Sequence, residues 1–584
     1  MKKIFTYFKP YKWQSLLGPL FKLLEATFEL LVPIVVGLIV DKGLGARIAG
    51  GYPNANKGYI AGMCGVLAAF GLLGLVFAVA AQYFAARTAT GVSAGLRRDL
   101  FKKIQSLSYS DLDRLGSATL LTRMTSDVDR LQTGVNLALR LFLRSPFIVF
   151  GAVITACVID PSFFGVFALT VVALAVVVYA VMFACMPLYK KSQERLDETL
   201  LSTRENLAGA RVIRAFCKED EERERFSARN EKLNKSRKFV DAIAAITNPL
   251  TCVIVNLGVI ALLWTGAIKV DGGGLTQGQV LALYNLMSQI LIELIKLANL
   301  IVTVTKAAAC GNRIQAVLDL EPSLTDGAGN ADETEERREH SPFIAFENVS
   351  VKYNDEADPA LEGIAFSVEC GETVGVIGGT GSGKTTLVNL LPRFYDVFDG
   401  GVFIDGQNVK NAVRKDLRDR IGVVPQKAEL FKGSIRENLL WGKGTATDDE
   451  LWRALKIAQA DEFVQEKGGL DAPVEQGGKN FSGGQKQRLT IARALVRDPE
   501  ILILDDSSSA LDYATDAALR REIKNLKTTT FIVSQRVSSV RHADKIIVLD
   551  DGKTAGVGTH DELLETSEVY REIYRSQTKA GGAI

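Results

Sequence analysis

Long apolar runs alternate with charged stretches through the first half of the chain, and the alternation ends where short aliphatic strands begin. The runs Leu16 to Val40, Tyr59 to Ala86, Phe147 to Ile159, Phe163 to Met186, Ile243 to Ile268 and Val280 to Val304 carry few charges. Most of them exceed the roughly 20 apolar residues that a helix needs to cross a hydrocarbon core. The third is short and is extended backwards through Leu137 to Leu143, so six transmembrane helices are predicted. The connections Ala86 to Arg144 and Leu188 to Asp241 are long, charged, poor in Pro and Gly, and helically patterned. They predict helices that continue well past the membrane. Ser108 to Gly116 and Gly209 to Phe216 interrupt that pattern with turn-compatible residues, which predicts short transverse helices at the tips, suited to docking on another domain. Solvated helical hairpins are the alternative.

The polar stretch Asp326 to Glu339 has no apolar period and reads as a flexible linker. Beyond it, Ile344 to Phe346, Ala365 to Val368, Thr373 to Ile377, Val402 to Ile404, Ile501 to Leu504, Phe531 to Val533 and Lys545 to Leu549 read as strands, with helical segments between them. The chain is therefore expected to be multidomain. An all-α six-helix transmembrane domain with long cytoplasmic extensions covers residues 1–320, a linker 321–342, and an α/β P-loop domain 343–584. No internal repeat is evident.

Composition adds little beyond topology. A mean hydropathy of +0.13 averages over two unlike halves. The net charge of +2 does not imply nucleic acid, because the basic residues flank the apolar runs: Lys2, Lys3, Lys9 and Lys12, then Arg87, Arg97, Arg98, Lys102 and Lys103, then Lys190, Lys191, Arg237 and Lys238. That distribution puts both termini in the cytoplasm. Met1 to Trp13 is basic, aromatic and interrupted by Pro10, and it reads as an interfacial elbow rather than a removable signal peptide. The seven cysteines show no CxxC spacing and read as reduced residues of core or membrane.

Gly378, Gly379, Thr380, Gly381, Ser382, Gly383, Lys384 and Thr385 follow an aliphatic strand and precede a helical stretch that starts at Thr386. That is the context a phosphate-binding P-loop requires: backbone N–H groups surround the phosphates, Lys384 reaches the β- and γ-phosphates, and the Thr385 hydroxyl can ligate Mg²⁺. Asp505, at the end of the aliphatic strand Ile501 to Leu504, supplies a carboxylate for the same ion. Phe481, Ser482, Gly483, Gly484 and Gln485 open another helix, whose N-terminus presents free N–H groups suited to a phosphate.

This combination, behind six spans, resembles the half-transporters of ATP-binding cassette (ABC) exporters over nearly the whole chain. It is similar in particular to the degenerate-site subunit of bacterial heterodimeric multidrug exporters. The resemblance implies ATP and Mg²⁺ as cofactors, Tyr353 stacking on adenine, Gln426 as the Q-loop residue that senses Mg²⁺, Ser509 to Asp512 as the D-loop, and Gln535 at the switch position. It implies that the Ser482 to Gln485 signature serves the nucleotide of the opposite subunit. Asp506 stands where such ATPases carry Glu, and Gln535 where they carry His. Asp506 is shorter than Glu by about 1.5 Å, and a displacement of about 1 Å costs on the order of a hundredfold in a positioned reaction. Gln535 cannot carry the charge of imidazolium. Slow or absent hydrolysis at the chain's own P-loop is expected, with a second half-transporter supplying the active site. A homodimer is the alternative.

Inside the membrane half, Glu25 and Glu29 lie on one face of the first span, and Glu293 lies three residues before Lys296 on the last. A buried charge there costs about 3 kcal/mol on insertion scales. Either these residues, with Asn256, line a wet cavity favouring amphipathic cations, or they pair with groups such as Lys22 and Lys296. Export of a hydrophobic drug-like compound, lipid or peptide by alternating access is the expected function. A regulatory ATP-binding subunit and a siderophore-type importer are the rivals.

Overall fold

The computed structural model describes residues 2–44, 56–327, 342–353, 358–507 and 510–580. By compactness the chain forms two units, Met1–Gln105 with Ser117–Leu320, and Ser106–Gly116 with Glu321–Ile584. Most of the expected linker and Ser509 lie outside the described residues.

The first unit is helical: α1 (Lys2–Thr6), α2 (Lys12–Leu38) and α3 (Lys57–Ser106) precede α4 (Tyr109–Leu115), which belongs to the second unit, and the unit resumes with α5 (Ser117–Thr122), α6 (Val128–Leu141), α7 (Arg144–Ile159), α8 (Phe164–Ala208), α9 (Ala210–Ala215), α10 (Glu219–Ala245), α11 (Thr247–Asp271) and α12 (Gln277–Asp319). Six helical stretches are long and apolar enough to span a membrane, beginning at Lys9, Lys57, Ser117, Pro161, Glu219 and Gln277. At about 1.5 Å per residue, the 50 residues of α3 run far past a hydrocarbon core of about 30 Å, as the charged extensions predict.

The third span extends back through Leu143 as expected: its apolar helical stretch runs Ser117–Ile159, with a local turn at Phe142 and Leu143 between α6 and α7. Pro146 has no N–H to give the Phe142 carbonyl, so the ladder is interrupted there. Before the first span, α1 ends at Thr6 and a 3₁₀ turn containing Pro10 leads into α2. Tyr7 Oη donates to Asp99 Oδ2 on α3 at 2.8 Å, and the Tyr11 ring fills the space over Gly91, where a Cβ would lie 2.2 Å from it.

The core of this unit joins Ala26 and Leu30 of α2, Ile148 and Ala152 of α7, Phe167 and Leu174 of α8, Leu262 of α11, and Leu286 and Met287 of α12. The apolar window of α3 is not buried inside the chain. Its inner edge meets α2 through stacked rings, Phe77 lying 5.8 Å from both Phe21 and Phe28.

The second unit is an α/β domain with strands β1 (Ile344–Val351), β2 (Leu361–Val368), β3 (Thr373–Gly378), β4 (Asp399–Ile404), β5 (Gln407–Asn408), β6 (Ile421–Val424), β7 (Gly433–Ser434), β8 (Pro473–Val474), β9 (Ile501–Asp505), β10 (Thr529–Val533), β11 (Lys545–Asp550) and β12 (Lys553–Gly558). Its main sheet has the order β12-β11-β3-β10-β9-β6, parallel except for β12; β2-β1-β4-β5 form an antiparallel sheet. β9 reads as unbroken aliphatics because both its faces are buried. Ile501 and Ile503 enter the core shared with the antiparallel sheet, while Leu502 and Leu504 pack against the helices of the other face. All seven expected strands are present, several longer than predicted; β5, β6, β7, β8 and β12 are additions.

Candidate functional site

Parallel pairing decides where the site lies. Val533 at the end of β10 pairs with Val376 of β3 on one side and Asp505 of β9 on the other, so the loops leaving these strands emerge together at their carboxyl ends, where ligands of open α/β sheets bind. A cavity of about 280 Å³ occupies this edge. It brings together Thr380, Gly381, Gly383, Lys384 and Thr385 of the loop after β3, with Thr386, Tyr353, Gln426, Asp505, Asp506 and Gln535 around them. Gly378 and Ser382 support the loop from beneath: the Gly378 carbonyl accepts from Lys384 Nζ at 3.0 Å, and Ser382 is buried.

Gly383 has φ +92°, and a Cβ there would meet Leu361 Cδ2 at 2.6 Å and the Ala360 carbonyl at 2.8 Å. Only glycine lets the chain turn at this point into the helix Lys384–Asn389. The loop is thereby held as an arch over its own lysine. Lys384 Nζ donates to the carbonyls of Gly378 and Gly379. Burial pushes the Lys384 ammonium below its ordinary pKa, opposed by the charges of Asp506 and Asp505. Thr385 Oγ1 donates to the Asp505 carboxylate at 3.0 and 3.1 Å. Burial raises the Asp505 carboxyl above its usual range; the Thr385 hydrogen bond opposes this and the Asp506 charge adds to it. A buried ammonium, a hydroxyl and a desolvated carboxylate at a glycine arch fit a polyphosphate accompanied by a divalent cation.

Asp506 leaves β9 in the left-handed region, φ +45°, a conformation that Asp tolerates better than most residues. Its N–H donates to the Val533 carbonyl at 3.0 Å. The Gln535 side chain is exposed at the cavity rim. Its backbone carbonyl accepts from Gln577 Nε2 at 2.7 Å, while Gln577 Oε1 accepts from Val537 N–H at 2.8 Å. Gln577 was missed by sequence reasoning, since nothing local marks a glutamine in a polar terminal helix. Gln426 is placed by β6, whose signal, Ile421-Gly-Val-Val424 before Pro425, was present in the sequence. Tyr353 Oη shares a hydrogen bond of 2.7 Å with Thr386 Oγ1.

The Ser482 to Gln485 segment does not line this cavity. Ser482 caps the helix Gly483–Leu495 in a capping box with Gln485, and Ser482 and Gly483 are exposed. Asp512 also lies outside the cavity, and its carboxylate caps the helix Tyr513–Lys524 by accepting from the Thr515 N–H and hydroxyl at 2.9 and 2.7 Å.

In the helical unit, the charges expected within the apolar helices are paired. Lys22 Nζ donates to Glu25, and Lys296 Nζ to Glu293 at 2.8 Å. The hub is Arg144, which sequence reasoning left at the end of a connection. It donates to Glu293 Oε1 at 2.7 Å and Glu29 Oε2 at 2.6 Å, and Ser145 Oγ donates to Glu293 Oε2 at 2.8 Å. Glu293 is buried and Glu29 half exposed. Asn256 stands apart, exposed on α11 beside Val253, Leu257 and Ile260.

Comparison with known proteins adds an independent line. The family described as ABC transporter transmembrane region matches residues 15–294, and the family described as ABC transporter matches residues 361–509. The chain is similar to the uncharacterized ABC transporter ATP-binding protein YfiB of Bacillus subtilis, 34% identical over 99% of this chain and 98% of the relative. It is similar to the ATP-dependent lipid A-core flippase of Desulfotalea psychrophila, 32% identical over 84% of this chain and 85% of that one. Its fold matches the structure of a bacterial Atm1-family ABC exporter with ATP bound, with a TM-score of 0.78 at 23% identity, covering 97% of this chain and 98% of that one.

Proposed function

The chain belongs to the ABC transporter family, and we propose that it is the degenerate-site half of a heterodimeric exporter that uses ATP to move hydrophobic or amphipathic compounds across the cytoplasmic membrane by alternating access. The observation that carries the degenerate assignment is the cavity at the ends of β3, β9 and β10, lined by the P-loop, Asp505 and Gln426 yet rimmed by Asp506 and Gln535. In this reading Lys384 and the glycine arch hold the phosphates, Tyr353 faces adenine, and Thr385, Asp505 and Gln426 hold Mg²⁺. The ion neutralises phosphate charge when bound.

Asp506, one methylene short, holds its carboxylate back from the attacking water. Gln535 offers a hydrogen bond without charge. The helix start at Ser482-Gly483-Gly484, exposed at its first two residues, is free to complete a site on a second half-transporter, whose own P-loop, Glu and His hydrolyse ATP. Closure of the paired nucleotide domains turns the membrane cavity outward. Basic flanks of the spans support cytoplasmic termini. The flippase relatives favour amphipathic lipids within the substrate class. Inside-out vesicles carrying this chain and a companion half-transporter test the reading: ATP-dependent accumulation of a fluorescent amphiphile is expected. ATP-dependent loss of preloaded compound indicates import and contradicts the proposal.

A further inference from the structure

Within the nucleotide-domain unit, α4 is held by aromatic contacts. The Tyr109 ring lies 4.5 Å from Phe394 and 6.2 Å from Tyr395. Phe394 is itself backed by the Arg418 guanidinium, 5.1 Å from the ring, which is fixed by hydrogen bonds to the Pro392 and Arg393 carbonyls. Tyr395 holds α4 a second time, donating from its hydroxyl to Asp113 Oδ2 at 2.8 Å. Its ring then meets Tyr353 edge-on, with centroids 5.1 Å apart and planes at 88°. Tyr353 in turn is tied to Thr386 at the start of the P-loop helix. One side chain thus touches both a short helix grouped from the membrane half of the sequence and the aromatic ring at the mouth of the nucleotide cavity.

We propose that Tyr395 is a positioning residue that sets the orientation of Tyr353 according to how α4 is seated, so that seating of α4 is read as affinity for the nucleotide base. The inference rests on Tyr353 stacking against adenine. An edge-to-face pair is directional, because the positive ring edge of one residue meets the negative face of the other. Moving Tyr109 or Asp113 shifts Tyr395, and Tyr353 must follow or lose the contact. Burial, with the Asp113 hydrogen bond, holds the Tyr395 phenol above its ordinary pKa, so it remains a donor to Asp113 at neutral pH. Among the described residues the path reaches the phosphate-binding part of the site through the Tyr353–Thr386 hydrogen bond, while Lys384 and the glycine arch are held by contacts of their own, which makes base affinity separable from phosphate affinity.

The test compares equilibrium binding of ATP and of inorganic tripolyphosphate, which has no base, to the purified full chain. Tyr109→Ala and Tyr395→Ala are each expected to weaken ATP about two- to tenfold while leaving tripolyphosphate unchanged. Their effects are expected to be non-additive in the double variant. Tyr395→Phe keeps the ring edge but loses the Asp113 hydrogen bond, so its ATP affinity should fall between those of the parent and Tyr395→Ala. Tyr109→Leu preserves apolar volume without a ring, and replaces Tyr109→Ala if that variant does not fold. Unchanged ATP affinity in the Tyr109 variants, with a loss in Tyr353→Ala, overturns the relay and leaves the adenine reading standing. No loss in Tyr353→Ala removes the adenine reading and the relay with it. An equal loss for both ligands also overturns the proposal.

Discussion

Gln577 clips both ends of the turn that carries Gln535, donating to the Gln535 carbonyl and accepting from the Val537 N–H with one amide. A residue of the terminal helix Glu568–Ala580 thereby holds the switch segment in place. Gln577→Ala leaves both backbone groups without that partner, at about 1 kcal/mol per hydrogen bond. Hydrogen exchange at Val537 is expected to accelerate on the order of 5- to 30-fold. Gln577→Glu retains acceptance from Val537 and should lose less protection.

Gly383→Ala tests the arch. The substitution combines a left-handed φ with contacts under 3 Å to Leu361 and the Ala360 carbonyl. The left-handed penalty alone is about 1–2 kcal/mol, so calorimetry should find ATP affinity reduced about tenfold or more, with the fold retained by circular dichroism.

The same glycine shows how much of the site could be read from residue order. The P-loop, the signature serine and the β9 carboxylate were legible because each is a local spacing with one physical use. The helix start at Ser482 was readable too, and the structure adds capping boxes at Ser108 and Ser482, each with its partner three residues on. Arg144 was not, because a basic residue beside an apolar run looks like an interfacial flank until α2 and α12 supply its carboxylates. Gln577 was invisible for a similar reason, its contacts being some forty residues away.

Arg144→Ala strands the buried Glu293 carboxylate with only Lys296 and Ser145. Breaking a buried pair costs about 3–5 kcal/mol, mainly through the charge left behind. Thermal unfolding in detergent should show a large loss for Arg144→Ala and substantial recovery in Arg144→Met with Glu29→Gln and Glu293→Gln. If the triple variant is as unstable as the single one, packing rather than charge balance governs this cluster.

Asp505 sets a pH dependence of known sign. Burial raises its carboxyl above the unfolded value of about 4, so the folded chain binds that proton more tightly. Stability falls as pH climbs through the window from about 4 to the raised native value. Without nucleotide, Asp505→Asn should melt higher than the parent at pH 7.5, with the difference vanishing towards pH 4. Adding Mg²⁺ and ATP should stabilise the parent and help the variant far less.

The P-loop site of this chain is expected to grip ATP without cleaving it efficiently. This is tested most directly by the steady-state ATPase rate of the purified full chain without a companion, at concentrations where two copies pair so that each lends the other its Ser482 to Gln485 signature, beside Asp506→Glu with Gln535→His in the same chain. Near-background turnover with intact ATP binding is expected for the parent, and an increase on the order of a hundredfold when the longer carboxylate and the imidazole are restored. Brisk turnover by the parent alone, unchanged by the double substitution, would contradict it.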